Sequence, residues 1–315
     1  MRKNNFRILL DKIKENIRGI PLWVWMAVIA FTLFFTVVSA LRHYTFHTVP
    51  DLGYLEAPLW NTARGRFFYD PNAIGGSTFG KHNHIFLILI VPVYALFPYT
   101  TTLFFLQSLA IAAGAIPVYL LAKHILRKKP FPAVFTIAYL LYPALWHVSL
   151  EEVHPEAFLI PLLLFTLYFM QTEKWKLYYT FLLLSLSVKE DVPLLTIMLG
   201  LYLILKKRPR HGIITVALSS FWLWFSLFIF IPSFAKGEFS FIEERYGHLG
   251  SSLFEVAKSI IMHPIRSLSA SYGSWGIRLK YIYSFLQPLL FLPLMAPELY
   301  PVSYTHLTLP TKRIV

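Results

Sequence analysis

The stretch "FPAVFTIAYLLYPALWHVSLEEVHPEAFLIPLLLFTLYFM", residues 131–170, holds two apolar runs divided by Glu151, Glu152, His154 and Glu156. Each run approaches the roughly 20 apolar residues that cross a hydrocarbon core of about 30 Å, so the four ionisable groups fall at a turn near a membrane surface. About eight segments of this kind succeed one another along the 315 residues. The chain is 56% hydrophobic and 14% charged, with a mean hydropathy of +0.56, outside the range of ordinary soluble domains. These features predict an all-α fold, a polytopic membrane helical bundle.

Charge then sets the direction of threading. A net charge of +13 would suggest nucleic acid in a soluble protein, but here the basic residues follow the membrane pattern. Residues 1–18 form a basic tail with six Lys/Arg against Asp11 and Glu15, and an apolar run from Pro21 to Leu41 follows. That run is too long for a signal peptide and reads as an uncleaved span. The positive-inside rule puts the N-terminus in the cytoplasm and a long loop, 42–83, outside. The proline-broken segment 85–98 is short for a crossing and reads as an interface-lying helix on the outer face. Spans at 100–122, 131–148, 157–171, 177–188, 192–205, 212–232 and 279–298 then alternate, with an outer loop at 233–278. Sixteen Lys/Arg collect on the cytoplasmic side with three acids. There are no cysteines, which excludes disulfides and thiolate-bound zinc.

The acids take the opposite side. Asp51, Glu56, Asp70, Glu151, Glu152, Glu156, Glu190, Asp191, Glu238, Glu243, Glu244 and Glu255 all map to the outer face, with eight of the eleven histidines. The transmembrane domain covers 19–301. The final residues, 303–315, resemble a read-through tail and imply a C-terminally truncated reading frame.

Individual motifs are weighed against plainer roles. "GGSTFGKH", 75–82, nearly spells a phosphate-binding loop, but its last position is His82 and no strand precedes it; a glycine-rich turn is favoured. Asp51, after Pro50, fits a helix cap and a catalytic group equally. Glu156 suits the first turn of a helix behind Pro155, which leaves Glu151, Glu152 and His154 without that explanation. His with carboxylates suits a divalent cation such as Mg²⁺ or Mn²⁺, or Zn²⁺. In "VKEDVP", 188–193, Asp191 could cap the helix opened by Pro193, and Lys189 beside Glu190 and Asp191 is a handle for a lipid phosphate. His82 reads as a polar turn residue, and His84 as a phosphate or metal contact.

Four phrases together, "DLGYLEAPLWNTARG" (51–65), "HIFLILIVPVYALFP" (84–98), "LLYPALWHVSLEEVHPEAFLIPLLL" (140–164) and "VKEDVPLL" (188–195), resemble the DUF2079 family of bacterial and archaeal membrane proteins. The resemblance covers about residues 45–300. That family is in turn similar to the GT-C glycosyltransferases, which include oligosaccharyltransferases, protein mannosyltransferases and aminoarabinose transferases. The resemblance implies a GT-C-like bundle in the plasma membrane and inverting transfer of a sugar from a polyprenyl-phosphate donor on the extracytoplasmic face. Carried onto this chain, it makes Asp51 and Glu56 the catalytic pair. His84, Lys189, Glu190 and Asp191 become the substrate and phosphate contacts, and Glu152, His154 and Glu156 the metal ligands, for Mg²⁺ or Mn²⁺. The usual D-x-D spelling is absent at both acidic loops. The implied partners are a polyprenyl-linked sugar and membrane lipid, with no nucleic acid. Two other readings are a transporter or flippase for a lipid-linked solute, and a non-catalytic binder of polyprenyl phosphate. The first predicts ionisable groups deep in the spans, whereas here they gather at helix ends.

Overall fold

The computed structural model describes residues 19–47, 51–236 and 252–263, with a few single positions from 247 to 287. The basic tail, most of the 233–278 loop, the 279–298 segment and residues 303–315 lie outside the described residues. Among the described residues there is no strand, only one isolated bridge between Tyr69 and Ser77. Four helices are long and apolar enough to cross a membrane: Leu22–Tyr44, Thr100–Leu126, Phe131–Leu150 and Pro209–Ala235. The protein is an all-α membrane bundle.

Two other expected spans are apolar but shorter, Glu156–Gln171 with 16 residues and Val192–Leu205 with 14. At 1.5 Å per residue they reach about 24 and 21 Å. Charged turns at 151–156, 173–176, 189–191 and 206–208 follow each other too closely to leave 20 apolar residues between them. The expected 177–188 segment lies mostly in the 12-residue helix Trp175–Leu186. Residues 85–98 form a 3₁₀ piece, Ile85–Leu89, and a six-residue helix, Val91–Leu96, with Pro92 in its first turn. Proline lacks the N–H an unbroken rod would need there.

The chain divides into two compact units, residues 1–56 with 89–185, and 57–88 with 186–315. The first is built on α1 (Leu22–Tyr44). Val24, Val28, Phe31 and Phe35 make its buried stripe, while Met26, Ile29, Leu33, Phe34 and Val37 stay exposed. The inner stripe finds protein and the outer faces suit lipid. The hydroxyls of Thr32 and Thr36 donate to Val28 O (2.8 Å) and Thr32 O (2.6 Å), which leaves neither unpaired in an apolar surrounding. Against the stripe pack Ile111, Ala112 and Ala115 from the rod of α4 (Thr100–Ala113) and α5 (Ala115–Leu126). Leu140 of α6 (Phe131–Leu140) and Leu145 of α7 (Pro143–Leu150) complete the cluster with Ala157 of α8 (Glu156–Gln171). Small residues let these helices approach closely. At Gly114 a side chain would collide with the Tyr139 hydroxyl, which donates to Ile111 O at 2.6 Å.

Polar ties mark the two ends of this unit. Ser39 donates to Ser149 O at 2.8 Å, and Lys123 Nζ donates to Gly19 O at 3.2 Å. The 149–156 turn therefore shares an end with the C-terminus of α1, and Lys123 lies at the other.

The second unit is organised by α10 (Val192–Leu205) and α11 (Pro209–Phe225), an antiparallel pair. A Cβ on Gly200 would lie 2.9 Å from Gly212 O, and one on Gly212 would lie 2.6 Å from Gly200 O, so the crossing requires both glycines. Thr196 and Ser219 hydroxyls meet at 2.8 Å across it. Lys206, Lys207 and Arg208 occupy the tight turn at the far end. Beyond α11 the chain makes one π turn, Ser226–Phe230, in which Ile231 N–H reaches back five residues to Ser226 O, and then α12 (Ile231–Ala235). Phe79 stacks on Phe68 with centroids 4.3 Å apart and meets Phe230 and Phe234 edge-on at 5.2 and 5.3 Å. Gly75, at φ 66°, and Gly80 bring this loop so near that a Cβ on either would collide with backbone, that of Phe234 or of Ile74. "GGSTFGKH" is a close-packing turn, as favoured above. Helix α13 (Leu253–Met262) starts at Ser252, whose hydroxyl accepts from Glu255 N–H, and sets Val256 against Leu227 and Ile231.

Candidate functional site

The second unit joins two segments that are far apart in sequence. Residues 82–86 lie along the 187–190 turn that precedes α10, held by four hydrogen bonds. Phe86 N–H donates to Ser187 O (2.8 Å), His84 Nδ1 to Val188 O (2.8 Å), Asn83 N–H to Glu190 Oε2 (3.0 Å) and His82 Nδ1 to Glu190 Oε1 (2.8 Å). A carbonyl and an ionised carboxylate can only accept, so both histidines carry their proton on Nδ1. The imidazoles lie beside each other with centroids 4.9 Å apart.

Glu190 is 1% exposed. Burial alone would push its carboxyl up. The charge and hydrogen bond of His82, followed by the charges of His84 and Lys189, outweigh that and hold it well below the usual carboxylate range. Both oxygens are engaged within the protein, so Glu190 positions the histidine segment and is less suited to direct substrate contact. His82, read from sequence as a turn residue, is its ion-pair partner. Lys189 Nζ and Asp191 Oδ2 stand 4.0 Å apart. Asp191 occupies the N-cap position of α10 but makes no capping bond, which corrects the capping role expected for it.

Asn83 continues the network inward. Its Nδ2 donates to Ser226 Oγ at 2.5 Å, and Ser226 Oγ donates to Trp222 O at 2.7 Å. Neither Asn83 nor Ser226 stands out in sequence, because their pairing spans 143 residues. Asp70, also buried, accepts from Asn72 N–H at 2.9 Å in a local turn.

The first unit gathers its own acids. Asp51 opens α2 (Asp51–Thr62), and its side chain lies outside the described residues. One turn on, Glu56 accepts from Tyr94 OH at 2.9 Å and from Thr100 Oγ1 at 3.0 and 2.9 Å. Those bonds tie α2 to α3 (Val91–Leu96) and to the start of α4. The 148–154 turn is clamped by Gln107, a buried amide on α4: Nε2 donates to Val148 O (3.0 Å) and Glu152 O (3.4 Å), and Oε1 accepts from His154 N–H (2.8 Å). Gln107 was not singled out from sequence. Its signal was a lone amide within an apolar run, which must find partners when buried. Gln107→Leu should cost about 1–3 kcal/mol, because it strands the His154 N–H and two carbonyls; thermal unfolding in detergent would read it.

Glu151 pairs with His147 Nε2 at 3.0 Å, both substantially exposed, and such a pair adds little stability. Glu156 lies in the first turn of α8 as expected, one residue after Pro155. Among the described residues no group of three or more His, Asp or Glu gathers as a metal site, so Glu152, His154 and Glu156 do not fit a closed ligand set. No step below runs through a divalent cation.

In each unit, the acids and histidines lie at one end and a basic turn at the other. No curated protein and no solved structure matches this chain. The chain does match the family described as predicted membrane protein DUF2079 over residues 42–304, and it belongs to that family.

Proposed function

We propose that the protein is an integral-membrane glycosyltransferase that moves a sugar from a polyprenyl-phosphate donor to an acceptor on the extracytoplasmic face. One observation carries the reading: ionisable groups collect at a single end of each unit, Glu56 and the 149–156 turn in the first, His82, His84 and Glu190 in the second. A polyprenyl tail stays in lipid while its phosphate and sugar sit at the boundary with water, so chemistry on such a donor needs its polar groups at helix ends. Family membership by itself carries no activity; the reaction class rests on the resemblance to GT-C enzymes.

In this scheme the acceptor oxygen bonds to the anomeric carbon as the bond from that carbon to the phosphate oxygen breaks. Asp51 takes the acceptor's proton, and the electron pair leaves with the lipid phosphate. Lys189 stabilises the departing phosphate, and any contact by His84 runs through Nε2, since Nδ1 is committed to Val188. Glu56, already holding two hydroxyls, sets the helix on which Asp51 begins.

The test is transfer of radiolabelled sugar from a polyprenyl-phosphate donor by protein in lipid nanodiscs. Wild type should transfer, Asp51→Asn should not, and Glu56→Gln should fold less stably. No transfer by wild type across a panel of acceptors would overturn the reading, and full transfer by Asp51→Asn would remove Asp51 as the base.

A further inference from the structure

Three buried polar atoms of the second unit have no partner among the described residues: Asn83 Oδ1, Trp222 Nε1 and Thr78 Oγ1. They belong to the two segments that the Asn83–Ser226 bond joins, the 77–84 loop and the end of α11. The Asn83 amide is not free to turn and repair the deficit. Ser226 Oγ spends its hydrogen on Trp222 O, so it can only accept from Asn83; Nδ2 must face it, and Oδ1 is left over. The backbone N–H of Asn83 is held by Glu190, and its side chain is 0% exposed. Each such unpaired group costs about 1–3 kcal/mol, and native proteins rarely tolerate several together.

We propose that this junction of Asn83, Trp222 and Thr78 binds the hydroxyl groups of a neutral sugar headgroup. The three atoms are an acceptor, a donor and a hydroxyl that can act as either. An anion would be repelled by Oδ1, and a cation by the indole N–H. A hydroxyl donates and accepts at one atom and satisfies both. The indole adds an aromatic face of the kind that suits the apolar side of a sugar ring. The π turn begins at Ser226, the residue that receives the Asn83 amide. Such turns recur at functional sites because the extra residue loosens the helix wall. The hydroxyl chemistry stands on these atoms alone, while the identity of the lipid bearing the sugar rests on the transferase reading.

The test uses protein with ¹⁵N-labelled tryptophan in nanodiscs free of glycosidic detergent. The Trp222 indole resonance is assigned by its loss in Trp222→Phe. Four probes are added: octyl glucoside, an octyl cyclohexyl ether of the same shape without hydroxyls, a short polyprenyl phosphate, and its glucosyl ester. Both glucosyl compounds should shift the Trp222 resonance and the hydroxyl-free ether should not. Asn83→Leu should weaken octyl glucoside binding about tenfold, the loss of roughly one hydrogen bond to a buried polar site. If Asn83→Leu fails to fold, Trp222→Phe, which keeps the ring and loses only its N–H, should weaken binding by a similar factor in a thermal-shift titration. A Trp222 resonance unmoved by both glucosyl probes would mean that the junction holds only water and would overturn the proposal. So would a variant that folds and binds octyl glucoside as wild type does. A response to octyl glucoside with no binding of either phosphorylated lipid would keep the hydroxyl site and reject the donor reading instead.

Discussion

Glu190→Ala should lower the unfolding free energy by about 3–5 kcal/mol, the usual penalty for removing one partner of a buried ion pair. The carboxylate is the acceptor for both His82 Nδ1 and Asn83 N–H, so its loss strands two donors and opens a cavity. Glu190→Gln keeps the shape and one acceptor oxygen, and should cost less, about 1–3 kcal/mol. Denaturation of the detergent-solubilised variants checks both, and equal losses in the two would refute the ion-pair account. The pH dependence follows from the direction of the shift. Because the folded protein holds this carboxyl below its unfolded value, its stabilisation is complete above the ordinary carboxylate range. It is lost progressively as pH falls below about 4 toward the depressed folded value. Stability measured from pH 6 downward should therefore fall more steeply in wild type than in Glu190→Gln.

Gly75→Val should be the other severe change. The residue sits at φ 66°, a conformation that costs a β-branched side chain about 1–2 kcal/mol. Its new Cβ would also meet the Phe234 carbonyl, which is backbone and cannot rotate away. Overpacking of this kind adds about 1–3 kcal/mol. The loop should lift from α12 and take the Phe79 contacts with it, so limited proteolysis should cut residues 70–80 in the variant and spare them in wild type. Gly65→Ala is the control: at φ 84° it is strained, but nothing lies within 4 Å of its Cβ, so its effect should be smaller.

The bundle was legible because apolar runs and charged turns follow the periods of helices and bilayers, which are local properties. The non-spanning nature of 85–98 could be read from Pro92 for the same reason. Span number was harder, since 157–171 and 192–205 are apolar throughout and only their helix ends show how short they are. The turn holding Glu190 was identified from its density of charge, yet its partner was not. His82 stands beside a glycine-rich turn that explains it locally, and nothing local reports a bond over 108 residues. Gln107 was missed for the opposite reason, an uncharged residue within a run whose apolarity dominated the reading.

The π turn at 226–230 has a bearing on insertions and deletions. An α-helix advances 100° per residue, and this turn accommodates one residue more than an α turn would. Removing a single residue there, such as the exposed Phe228, would let the segment relax to ordinary helix while swinging everything after it by about 100°. Phe230 and Phe234 would then face away from Phe79. A change invisible to hydropathy would dismantle the floor beneath the glycine loop, so the length of this segment, more than its composition, is the constrained quantity.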